Sequence, residues 1–319
     1  MSIQTQVLTN VINTIKEDKQ NILYLLYYST IKSVLVLSIP LATSYIINSV
    51  LSHASISIIV LGLILLSTYG VITFLKVIQE YIVEKFQQKI YVQTGIKVFE
   101  EAVELEHQRD TTLINKYMNY FFDVTSVQKI FPILLLDGAG LIMKIIVSLI
   151  LLLAFDPLLF AFALIIFVIY FVAIFYLGHN GVKYAIERSD AKHKSIFYLQ
   201  HVPEQEQDKK ETSVEYDTHL KEYVKARGNS FKVIIRQMTF TFLMEGIILS
   251  GFLTLGAYLV IHGSLPIGEF VAAEIIVVSI LYSLKVFVKQ IDYIYEMIEG
   301  FYKIDKLSTF LKGKTDEPA

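Results

Sequence analysis

Three ionisable side chains, Lys144, Glu245 and Glu274, lie well inside otherwise apolar stretches of this chain. Charge in hydrocarbon is costly, and such residues mark substrate pathways, proton relays or internal pairs. At 1.5 Å per helical residue, Lys144 falls about 16 Å and Glu274 about 10 Å below the outer ends of their stretches. Neither reaches water by snorkelling alone. Two roles are open: contacts in a hydrated cavity, as a pair or with substrate, or an ion pair that orders two helices. Glu245 lies about 24 Å from its outer end, towards the inner boundary. Lys32, Lys76, Lys285 and Asp137 sit at about 28, 31, 27 and 27 Å, where the lysine stems extend to the inner interface and a structural role is expected for all four.

Other chemistries find little support. The sequence has no cysteine, which removes disulfides, thiolate metal sites and thiol catalysis. His107, His193, His201 and His219 lack the i,i+4 pairing with a carboxylate that a metal site needs, so no metal is expected. Gly313-Lys314-Thr315 imitates the end of a phosphate-binding loop. That loop needs a first glycine where this chain has Ser308, and a preceding strand, so no catalytic residue is assigned.

The elements that position these charges are six apolar stretches, about Ile22–Leu51, Ser55–Tyr81, Ile130–Phe155, Leu158–Leu177, Val233–Ile261 and Ile267–Val288. Hydrophobic residues make up 54% of the 319, and the mean hydropathy is +0.53. Each stretch reaches the roughly 20 residues needed to span a bilayer. The connections Ser52-His53-Ala54, Asp156-Pro157 and His262 to Pro266 carry no Lys or Arg, whereas the other connections and both tails hold nearly all the basic residues. The positive-inside rule therefore places both termini and the two long loops in the cytoplasm, in a multi-pass plasma (inner) membrane protein without a removable signal peptide. With no tryptophan, tyrosines such as Tyr24, Tyr27, Tyr28, Tyr45 and Tyr81 are expected to form the interfacial belt. Nothing points to nucleic acid.

Residues 1–21 read as an interfacial helix, with Val7, Leu8, Val11, Ile12 and Ile15 on one face. The helical pattern of the second stretch continues to about Leu105, some fifty residues or about 75 Å, against a hydrocarbon core of about 30 Å. The fourth stretch extends through Tyr184–Leu199, and Val214–Gln237 climbs back into the fifth. Two polar elbows, near Glu106–Thr112 and His201–Lys210, close the long loops. Pro40 is expected to kink the first span, and Pro266 to open the sixth. Residues 22–311 form one membrane domain, followed by a polar tail, 312–319.

This layout resembles the transmembrane domain of ATP-binding cassette (ABC) exporters. Gly256 to Ala273 is similar to the family's V-x-x-G-x-L-x-x-G-x-L-x-A run, with Phe270 in place of the last leucine. Asp217 to Arg227 looks like the rising fifth helix of the peptide- and protein-secretion branch. The resemblance covers about residues 5–311. It implies an all-α membrane fold, a domain-swapped homo- or heterodimer, and elbows that dock into nucleotide-binding domains. By position, Glu106, His107, Gln108, Arg109, Asp110 and Thr111 would form the first coupling segment, and His201, Val202, Pro203 and Glu204 part of the second. The second elbow departs from the family's Gly-Ile-x-x-Ile/Val-Lys pattern. No ATPase motif lies in this sequence, so ATP and Mg would be bound by a separate nucleotide-binding subunit or by a domain outside it.

The resemblance implies a transporter subunit that is not itself an enzyme, forming a translocation pathway by alternating access. Lys144, Glu274 and Glu245 would line that pathway. Two other readings remain open: a proton-coupled peptide transporter of the same fold that ignores ATP, and a non-transporting regulatory partner.

Overall fold

The computed structural model describes residues 19–53, 58–107, 136–202 and 209–300. The interfacial segment up to residue 18, most of the first elbow, Pro203 to Glu206 in the second and the C-terminal tail lie outside the described residues. The described chain is helical: α1 (Lys19–Val36), α2 (Ser38–Leu51), α3 (Ile58–His107), α4 (Ala139–Phe155), α5 (Pro157–Leu177), α6 (Gly181–His201), α7 (Lys209–Ile261) and α8 (Ile267–Lys289). After a turn at Gln290, helix resumes over 291–300. Among the described residues, six helical segments are long and apolar enough to cross a membrane. Helices satisfy their own backbone groups, the condition for apolar surfaces of this kind to face lipid.

The first span breaks at Leu37, three residues before Pro40. Proline has no N–H to return to the Val36 carbonyl and its ring crowds that carbonyl, so the α-ladder cannot pass. A tighter turn takes over, with Leu37 N donating to Val34 O at 3.1 Å. At the next turn Asp156 caps α5, its Oδ1 accepting from Leu158 N at 2.7 Å and Leu159 N at 3.3 Å, and Pro157 occupies the first helical turn without loss. Gly263, at φ 72°, ends α7 in the left-handed conformation that glycine adopts freely.

The fourth span is not one continuous helix. It stops at Leu177 and restarts at Gly181, with Asn180 at φ 65° in the left-handed region. The sequence pattern predicts an uninterrupted extension here. Asparagine tolerates this conformation better than most residues, which lets the apolar α5 and the more polar α6 meet at a bend.

α8 is the hub, packing on α2, α4 and α7. In its most apolar window 44% of residues are buried, against 11% for α3, which places α8 at the centre and α3 at the periphery. Leu152, Leu159, Phe167, Tyr170, Ile248, Ile276 and Ile280 form the core between α4, α5, α7 and α8. α8 meets α2 closely at Gly268: a Cβ there would overlap the Ser44 carbonyl, and Asn48 Oδ1 accepts from Gly268 N at 2.9 Å. α3 and α7, with 50 and 53 residues, are about 75 and 80 Å long and outrun any bilayer core.

Candidate translocation pathway

α8 and the turn after it present polar side chains to the third span at two levels and to α7 at one. Lys144 on α4 donates to Ser279 O at 2.7 Å and to Ser283 Oγ at 2.9 Å. Ser279 and Ser283 are one turn apart and share a face, so a single ammonium reaches both. Lys285 pairs with Glu245 of α7 at 2.6 Å. Gln290 donates to Asp137 at 2.8 Å. On α1, Lys32 donates to Gln79 Oε1 of α3 at 2.7 Å. The buried Gln79 amide in turn donates to Ser29 Oγ at 2.7 Å.

Among the three residues that the sequence singles out, Lys144 and Glu274 share no ion pair. Glu274 is partly buried on α8. It lies five residues before Ser279, which at 100° per residue puts it about 140° around the helix from the lysine's anchor. Glu245 does have a counter-ion, but it is Lys285, whose expected place was the inner interface. Depth along each span is readable from the sequence, but azimuth around each helix is not. That is why all three residues were legible and their partners were not.

The elbows are described only in part. Glu106 and His107 close α3, while Gln108, Arg109, Asp110, Thr111, Pro203 and Glu204 lie outside the described residues. His201 ends α6, its Nδ1 donating to Phe197 O at 2.8 Å, and Val202 follows in a tight turn. Next to it α6 and α7 are clasped: Tyr198 donates to Thr212 O at 3.2 Å and to Glu215 at 3.1 Å, and stacks on Tyr216 at 6.0 Å.

One site escaped the sequence reading. Arg188 on α6 is 11% exposed and faces Asp292 at 2.8 Å, Glu296 at 3.5 Å and Glu299 at 4.0 Å on the helix after α8. These carboxylates, with Arg188, Lys192, Tyr223 and Arg227, line a polar cavity of about 140 Å³. The spacing 292, 296, 299 puts three acids on one helical face, a signal that was available in the sequence. This network ties α6 to the end of the sixth span, with α7 forming the remaining wall of the cavity.

No protein-family model and no curated protein sequence matches the chain. Its fold does match a solved structure, that of a bacterial Atm1-family ABC exporter with ATP bound, at a TM-score of 0.72 and 12% identity. The match covers 92% of this chain and 53% of that one, so this sequence spans about half the length of the protein it resembles. The six-span fold is therefore that of an ABC exporter transmembrane domain.

Proposed function

We propose that this chain is the transmembrane subunit of an ABC-type exporter and forms the translocation pathway by alternating access. ATP and Mg bind and turn over in a nucleotide-binding subunit, or in a nucleotide-binding domain outside this sequence. Two such chains, identical or not, form a domain-swapped dimer in the plasma (inner) membrane with both termini in the cytoplasm. The observation that carries this reading is the fold match over 92% of the chain, with 53% of the matched exporter covered. The length of α3 and α7 supports it, because helices that outrun the bilayer are the struts through which closure of a motor is transmitted. On this reading Glu106 to Thr111 and His201 to Glu204 dock on that motor. Lys144, Glu274 and Glu245 belong to the pathway.

The test is purification of the tagged chain from its native membrane in nanodiscs, with identification of co-purifying proteins and measurement of ATP hydrolysis. Recovery of an ATPase whose activity is lost on replacing the elbow residues supports the reading. A chain that arrives without an ATPase, or transport that survives ATP depletion and collapses with a protonophore, overturns it. The absence of native cysteine makes orientation directly measurable with single introduced thiols.

A further inference from the structure

At the Pro40 kink a small cavity of about 60 Å³ opens between the α1–α2 break, α4 and α8. Its walls are mainly apolar (Leu37, Ile39, Pro40, Ile275, Ile276), and its polar groups are Lys144, Ser148 and Ser279. Ser148 is fully buried, and its hydroxyl has no hydrogen-bond partner. A serine in a helix ordinarily satisfies itself on the carbonyl four residues back, so an unmade bond here is a donor held in reserve. Lys144 stands one turn before it, on the same face. An ammonium has three N–H donors. Two are taken by Ser279 O and Ser283 Oγ, which leaves one uncommitted.

The local charge is also uncompensated. Lys144 has no carboxylate partner among the described residues, and the charges that act on it, Lys32 and Lys76, carry the same sign. Asp137 and Glu80 act on Lys32 and not on Lys144. An unpaired cation beside an unpaired hydroxyl, in apolar walls, is a two-pronged receptor for an anion. The volume limits that anion: it admits a carboxylate and little more, so the apolar remainder of the ligand must lie outside it, along the helices.

We propose that Lys144 and Ser148 form a subsite for the carboxylate of an amphiphile whose apolar chain lies in the pathway, either a fatty acid or the C-terminus of an apolar peptide. Both sources offer the same head: a carboxylate that accepts one N–H from Lys144 and the O–H of Ser148. This deepens the transporter reading by naming a substrate class, and it rests on that reading for the direction of movement but not for binding.

The experiment is binding to the full chain in nanodiscs, measured without nucleotide or partner by displacement of radiolabelled laurate. Laurate, dodecanol and dodecyltrimethylammonium are compared, as are acetyl-Leu-Leu-Phe with a free carboxylate and the same peptide as its amide. The expected order is laurate over dodecanol by about ten-fold or more, with no displacement by the cation. K144M should abolish that preference, S148A should reduce it several-fold, and K144R should retain it. Competition by the peptide acid but not its amide assigns the peptide source; competition by laurate alone assigns the lipid source. Equal binding of laurate and dodecanol in the wild-type protein, which needs no variant to fold, overturns the proposal. So does K144M with laurate binding intact. Loss of this subsite with ATPase coupling preserved would leave the transporter reading standing, and the converse result would leave the subsite.

Discussion

Replacing Arg188 by methionine tests whether the charged network holds the extensions of the fourth and sixth spans together beyond their apolar core. Methionine keeps most of the side-chain volume and removes only the guanidinium. Asp292 and Glu296 are 39% and 35% exposed, so solvent screens them, and each pair contributes at most about 1 kcal/mol. Glu299 is different, at 6% exposure. Glu299 makes further interactions, so losing a 4.0 Å contact with Arg188 weakens its pairing without stranding it, at about 1–2 kcal/mol rather than the about 3–5 kcal/mol of a fully broken buried pair. With the two screened pairs the sum is a loss of about 2–3 kcal/mol for R188M. Adding E299Q removes a buried charge whose pairing has been weakened, so the double variant should recover about 1 kcal/mol. The assay is denaturant unfolding in mixed micelles followed by far-UV circular dichroism, run as a double-mutant cycle. R188M within about 1 kcal/mol of wild type, or a double variant no better than R188M, would refute the reasoning.

Two further outcomes follow from the same contacts. A Cβ at Gly181 would lie on the Tyr295 ring, so G181V should destabilise by about 2 kcal/mol or more through overpacking. In a Y295A background the same substitution should cost well under about 1 kcal/mol, read in the same unfolding cycle. K285M strands Glu245 among partly buried groups and should lower stability by at least about 2 kcal/mol. E245Q/K285M should then regain most of it, a change visible as thermal-shift recovery in nanodiscs.

The six spans and their hairpin turns were legible because lipid imposes a length and a polarity that few soluble segments meet. The turns at Asp156-Pro157 and Pro266 were readable from their chemistry, since proline at a helix start has one physical explanation. The bend at Asn180 was not. The apolar pattern on both sides is helical, and a single left-handed residue leaves no trace in periodicity. Lys144, Glu245 and Glu274 stood out by depth, but depth does not distinguish Ser279 from Glu274 as the partner of Lys144, because rotation about the helix decides that. Ser148 carried no signal as a lone residue and gained meaning only as the unpaired neighbour, one turn away, of an unpaired lysine. Arg188 was legible in principle, through the three acids spaced 292, 296 and 299.

α3 meets the described chain mainly through α1 and α2. The last buried residue described on α3 is Ile90, 17 residues or about 26 Å before His107, so the end of the helix works as a pointer. A tilt of about 5° where it leaves that packing, a change small enough for side-chain rotamers to absorb, carries the tip through about 2.2 Å over that arm. The distance exceeds the helical rise of one residue. Sub-ångström adjustments around Gln79, where Lys32, Ser29 and α3 are bonded together, would therefore arrive at the His107 end as whole-residue displacements. Stiffness of the helix, more than the strength of any one contact, sets the gain.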